Sequence, residues 1–197
     1  FASSFCIIPA HTVYEEYYTE AVNNFQKEQI QLFDEIKRLP LTSEIDKKII
    51  KAAIARTRLK LKTIDFWLRY FEPIAYKKVN GPLPVEWENE VFEKYEPPYK
   101  RDGSGLTLAE LYLEEAHFSR DSLARLIGLS IDAVKVFHED SITSQLKTHH
   151  HFFLCNRLYL LNLAAIYTTA FECPETGNVI PELRAMLADV KELYLNY

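Results

Sequence analysis

Residues 141–171, SITSQLKTHHHFFLCNRLYLLNLAAIYTTAF, constrain this chain more than any other stretch. They run for about thirty residues without Gly or Pro, and the second half is apolar on nearly every side. A helix that is hydrophobic all round belongs either in the middle of a bundle or in a membrane. Residues 152–171 are long enough to cross a bilayer. Asn156, Arg157 and Asn162 interrupt them, however, and an Arg in hydrocarbon costs at least about 2.5–3.5 kcal/mol. The stretch therefore reads as the central helix of a soluble bundle with no transmembrane segment. Asn156 and Arg157 then need polar partners in the interior.

The remaining sequence agrees with an all-α chain. Five glycines among 197 residues, 12 Tyr and 12 Phe suit long helices around an aromatic core. No alternating apolar run bounded by Asn-Gly or Asp-Gly marks a hairpin. The net charge of -5 is spread along the chain, which argues against a nucleic-acid partner. Its three cysteines form no Cys-x-x-Cys pair, so neither a zinc ribbon nor covalent haem attachment is encoded here. Cys155 reads as a buried thiol. Cys6 and Cys173 are candidates for a disulfide in an oxidising compartment.

The periodicity predicts a single domain over 1–197, an antiparallel bundle of about six to seven helices. Residues 1–11 read as an apolar lead-in. A first helix is expected over 12–37, with Tyr18, Val22, Phe25, Gln29, Leu32 and Ile36 along its seam. Thr42-Ser43 caps a second over 44–71, and the short connection makes the two antiparallel. On that second helix Ile50, Ile54, Thr57, Leu61, Ile64, Leu68 and Phe71 form the core face. Arg56, Arg58, Lys60 and Lys62 form a basic girdle that reads as a solvated face, or else as one from which Arg56 or Lys60 reaches an inward acid or a bound anion. Residues 72–104 read as a Pro-rich connector with a short helix near 85–94. Further helices are expected over 105–118, with Leu108, Leu111 and Tyr112 inward, and over 119–138. A last helix over 178–197 would bury Leu183, Leu187, Val190 and Tyr194.

Glu110, Glu114 and His117 stand at i, i+4 and i+7, on one face of the helix predicted there. Glu-x-x-His is the unit that di-iron carboxylate bundles use twice, but here it occurs once. The three residues are therefore candidates for a single metal ion, or for an acidic face that pairs with Arg120, Arg125 or Arg157. The triplet His149-His150-His151 cannot converge on one ion, because consecutive helical residues point about 100° apart. One of the three is expected to face the core and the others solvent. No phosphate loop or nucleophile-base motif is present.

Three segments carry a resemblance to a known family: TIDFWLRYFEP, VNGPLPVEWENEVFEKYEPPYKRDGSGLTLAELYLEE and CNRLYLLNLAAIYTTAFECPETGNVIPELRAML. Together they resemble the amino-terminal helical region of bacterial di-haem cytochrome c peroxidase-like proteins. That resemblance implies an extracytoplasmic, periplasmic protein whose c-type haems lie in a following domain that reduces hydrogen peroxide. No cofactor is expected in the present chain, and its partner would be that haem domain or a redox protein. The region is in turn similar to imelysin-type bundles, which carry Gly-x-His-x-x-Glu. Gly105 and Glu110 match that motif, whereas Thr107 replaces its histidine. The expected function is a non-catalytic helical accessory domain that docks on or regulates the haem domain, or binds a small ligand or redox partner. An imelysin-like metal module on Glu110, Glu114 and His117 and a purely architectural bundle are the alternatives. For the last, Trp67, Trp87, Tyr95 and Tyr99 would form the binding face.

Overall fold

The structure is a computed structural model that describes residues 11–81, 103–170 and 172–195. It is all-helical, with no strand among the described residues. In chain order the helices are α1 (His11–Arg38), α2 (Glu44–Phe71), α3 (Pro73–Asn80), α4 (Leu106–Leu113), α5 (Arg120–Val134), α6 (Asp140–Thr143), α7 (His149–Ala165) and α8 (Val179–Leu195).

The first two helices follow the sequence pattern closely. All six seam positions of α1, from Tyr18 to Ile36, are buried. Ser43 opens α2 by accepting a hydrogen bond from the Asp46 amide at 3.1 Å, which satisfies one of the free amides of the first turn. Glu44 and Asp46 in that turn favour the positive end of the helix dipole. Arg56 near the middle of α2 meets Glu28 and Glu35, both at 3.2 Å. Tyr18, early in α1, packs edge-on against Trp67 and Phe71 at the end of α2. These pairings run in opposite order along the two chains, so the helices are antiparallel.

The helix at the centre is α2, not the long apolar stretch. From Ala53 to Leu68 it is buried on almost every side, with α1, α4, α7 and α8 packed around it. Trp67 is fully buried among Tyr14, Tyr18, Phe66, Phe71 and Phe152, so it belongs to no exposed face. Trp87, Tyr95 and Tyr99 lie outside the described residues, as does the helix expected near 85–94.

Residues 141–171 do not form one rod. Within them α6 gives way to a turn of 3-10 helix at Ser144–Lys147, and Thr148 is extended before α7 begins. Ser144 and Gln145 both donate side-chain hydrogen bonds to the Ser141 carbonyl, a local alternative to helix continuation. At the far end Thr168 and Thr169 turn their hydroxyls back on the Ala164 and Ile166 carbonyls, and Ala170 is left-handed at φ 61°. Only one face of α7 is buried, through Phe152, Cys155, Asn156 and Tyr159. Leu160 and Leu161 stand 62% and 63% exposed.

Three other expectations are corrected. Pro73 occupies the first turn of a helix and does not introduce a connector, because proline fits a position whose amide would be unbonded anyway. The helix predicted over 105–118 stops at Leu113. It buries Leu106, Thr107, Ala109, Glu110 and Leu113, and leaves Leu111 outward. Finally, α8 is turned in part from its predicted face: Leu183 and Val190 pack against the core as expected, but Glu182, Met186 and Leu193 are its buried residues, while Leu187 and Tyr194 are half exposed. What rotates it is a charge described below.

Gly105 fixes the approach of α4 to α3. Its φ is +99°, and a Cβ there would stand 2.5 Å from both the Asn80 carbonyl carbon and the Gly81 nitrogen. Only glycine is accommodated in that conformation at that distance.

Candidate functional site

Arg58, Lys62, Asp65 and Arg69 recur along α2 at steps of four, three and four, so they share one face of the helix. That face points into the protein. Arg58 and Asp65 are fully buried, Lys62 is 2% exposed, and the Arg69 side chain is largely covered. Buried charges persist only when paired and hydrogen-bonded. Here the partners come from α3, α4, α8 and the segment before α8.

Arg58 is the hub. Its Nε donates to Glu182 Oε1 at 2.7 Å and Nη2 to Glu182 Oε2 at 3.1 Å, the forked geometry a guanidinium makes with a carboxylate. Nη1 donates to Thr107 Oγ1 at 2.9 Å and Asn80 Oδ1 at 3.4 Å. Nη2 also donates to the Glu172 carbonyl. One side chain thus ties α2 to α3, α4 and α8, and this is why α8 turns Glu182 inward. Burial opposes the Arg58 charge, but Glu182 and Glu110 hold it firmly protonated.

Glu172 binds the other end of the row. Its carboxylate pairs with Arg69 and accepts from Asn80 Nδ2 at 3.3 Å. Arg69 also donates to the Tyr76 hydroxyl at 2.9 Å and lies over that ring, 4.3 Å from its centroid. Tyr167 donates to Asp65. Burial alone would raise the Asp65 carboxyl, but Lys62, Arg69 and the Tyr167 hydrogen bond together hold it below its ordinary value.

Two groups are less well served. Lys62 Nζ stands 3.5 Å from Asp65, 3.9 Å from Glu172 and 4.0 Å from Glu182, within ion-pair range of each but hydrogen-bonded to none. It also lies 4.9 Å above the Tyr167 ring. Glu110 Oε2 is 3.7 Å from Arg58 Nε, yet neither Glu110 oxygen has a hydrogen-bond partner. Burial raises the Glu110 carboxyl above its usual range, more than Arg58 lowers it. Beside Lys62 is a cavity of about 10 Å³, lined among others by Tyr167, Glu172, Cys173 and Glu182. Such a space admits no more than a water molecule.

The sequence-predicted residues are placed as follows. Glu110 is in the centre, but its partner is Arg58. Arg157 faces solvent on the outer side of α7, so the buried arginine expected at 157 is found at 58. Asn156 is buried but donates to the Phe152 carbonyl of its own helix at 2.9 Å. Arg56 is 52% exposed and pairs with α1; the inward member of the basic girdle lies two residues on. Glu114 is at the end of α4, exposed and 2.9 Å from Lys51. His117 lies beyond the helix, also exposed. Because α4 ends at Leu113, Glu110, Glu114 and His117 do not share a helical face. No group of three His, Cys, Asp or Glu residues among the described residues is placed to hold a metal ion.

His151 is half buried and hydrogen-bonded through Nδ1 to the Tyr70 hydroxyl at 2.9 Å, while His149 and His150 face outward, as their spacing predicts. Cys155 and Cys173 are buried free thiols, and Cys6 lies outside the described residues. No described helix is long and apolar enough to cross a membrane.

The sequence reading missed Arg58, Lys62, Asp65, Arg69, Glu172 and Glu182 as one site. Their signal was present: three cations and an acid share one face of α2 with the apolar core positions Leu61 and Ile54 alongside. A family-model scan returns no match for this chain, and neither a curated protein nor a solved structure matches it.

Proposed function

We propose that this chain is a non-catalytic helical domain that accompanies a di-haem cytochrome c peroxidase-like protein outside the cytoplasm and docks on its haem domain or a redox partner. The observation that carries the reading is the closure of the polar centre. Most of its charged groups engage one another across α2, α3, α4 and α8, and the cavity beside Lys62 has room for a single water. An open pocket of about 210 Å³ reaches only the Arg69, Tyr76 and Glu172 edge of the centre. Such a centre orders helices and keeps its Arg58–Glu182 core closed to a substrate, so the reading places the domain's role on its outer faces.

A second observation supports the family part of the proposal. All three segments that resemble the peroxidase-associated region meet at this centre. The first supplies Asp65 and Arg69, the second Asn80, Gly105, Thr107 and Glu110, and the third Tyr167, Glu172 and Glu182. Gly105, Thr107 and Glu110 are also the positions aligned with the imelysin-type motif. Here Thr107 serves as an acceptor for Arg58.

The test is to produce the chain in cells that mature c-type cytochromes and to mix it with a di-haem peroxidase domain. The expected results are no covalent haem, no peroxidase turnover by the chain alone, and a complex by light scattering. Covalent haem, unaided turnover or no association would overturn the proposal.

A further inference from the structure

The geometry points to the groove between α2 and α8 as a docking site for an amphipathic helix of a partner protein whose flanks are acidic. This inference rests on the docking role proposed above and names the face and the chemistry of the partner. The groove encloses about 640 Å³. Its α2 wall is Arg56, Leu59, Lys60 and Thr63, and its α8 wall includes Ile180, Arg184, Ala185 and Ala188. Both sets recur at helical spacing, so the groove follows the two helices for about two turns each.

Shape and charge both select the occupant. Thr63, Ala185 and Ala188 keep the floor low, so another helix can approach closely, and the 64% exposed Ile180 supplies an apolar anchor on the rim. An apolar groove of this length takes the apolar face of a helix, read at i, i+3, i+4 and i+7. The rim carries three cations, Arg56, Lys60 and Arg184, against one carboxylate, Glu28, although the whole chain is net -5. Arg56 is engaged with Glu28 and Glu35. Lys60 and Arg184 form no ion pair among the described residues; Lys60 also borders Glu20, Asp189 and Glu192 and interacts with Asp189, so Arg184 is the rim cation left most open to an acidic partner. Complementary rim charge sets specificity and approach rate more than raw affinity. The α8 wall is held in place by Glu182 on Arg58, so the groove is formed before a partner arrives, which lowers the cost of binding.

The probe is a fluorescein-labelled synthetic helix with a Leu/Ala stripe flanked by Glu, read by fluorescence anisotropy on the purified chain. Its controls are a scrambled peptide of the same composition and one with Lys in place of Glu. The acidic helix is expected to bind and both controls to fail. Lys60→Glu with Arg184→Glu should weaken binding about tenfold or more, and Ala188→Trp, which fills the floor, should do the same. Lys77→Glu, away from the groove, should change nothing, and circular dichroism confirms that each variant is folded. No binding, equal binding of the three peptides, or indifference to the Lys60 and Arg184 changes would overturn the inference. A haem domain that binds the chain regardless of Lys60 and Arg184 sinks the groove but not the companion role. An acidic helix that binds where the haem domain does not has the opposite meaning.

Discussion

Arg58 and Glu182 lie 124 positions apart in the sequence and meet through two parallel hydrogen bonds, at 2.7 and 3.1 Å, in the interior of the helices. The fork requires a planar guanidinium, and a lysine ammonium cannot reproduce it. Arg58→Lys keeps the charge but leaves several of the Glu182, Thr107, Asn80 and Glu172 acceptors unsatisfied, at about 1–3 kcal/mol each. Urea unfolding of Arg58→Lys is therefore expected to give a clearly lower midpoint with an unchanged slope. An unchanged midpoint would mean that the fork is not formed.

The pH dependence should show two opposed contributions. Lys62 and Arg69 hold the Asp65 carboxyl low despite its burial, so its stabilisation is complete above the ordinary carboxylate range. As pH falls the unfolded chain takes up the proton first, and this contribution is lost as pH drops through the folded value. Asp65→Asn should be less stable than the parent at neutral pH, with the gap narrowing in acid.

Glu110 behaves in the opposite sense. Burial raises its folded value, so the unfolded chain releases this proton at lower pH than the folded one. Stability from Glu110 is then full below the ordinary carboxylate range and declines as pH rises towards the raised folded value. Glu110→Gln, which mimics the neutral acid, should remove that decline. Thermal unfolding of both proteins from acid to neutral pH measures it, and parallel curves would contradict the assignment.

Two glycines should respond with opposite sign. Gly105→Ala places a methyl at positive φ and 2.5 Å from the α3 backbone, which costs at least about 1–3 kcal/mol. Gly128 lies inside α5, and a Cβ there would meet only the Phe33 ring at 3.7 Å. Gly128→Ala should stabilise by about 0.5–1 kcal/mol, the helix-propensity difference. Melting temperatures decide both.

The outer face of α7 supplies a further check. Leu160 and Leu161 are mostly exposed, so Leu160→Ser and Leu161→Ser should each stay within about 0.5 kcal/mol of the parent. A loss of several kcal/mol would restore the buried rod that hydrophobicity alone suggests.

These residues show what the sequence could and could not convey. The bounds and core face of α1 and α2 were legible because their periodicity is long and their cap is local. The stretch 141–171 misled because counting apolar residues cannot register that Ser144 and Gln145 draw hydrogen bonds away from helix continuation. Arg157 was chosen as the buried arginine for its apolar neighbours, yet a helix surface half covered by α2 leaves position 157 outside. Arg58 sits among alternating basic residues that look solvated. Its burial depends on Glu182 and Glu172 arriving from more than a hundred residues away, and periodicity holds no record of such a meeting. Glu110 lies among the buried charges, and the cation beside it is Arg58 instead of Arg157.

The claim on which the rest stands is that Arg58 and Glu182 are one buried pair organising α2 against α8. A double-mutant cycle of Arg58→Met and Glu182→Leu, followed by urea unfolding, measures it most directly. The account predicts a coupling of about 2–3 kcal/mol, with the double variant at least as stable as Arg58→Met alone. Effects that simply add, to within about 0.5 kcal/mol, would contradict it.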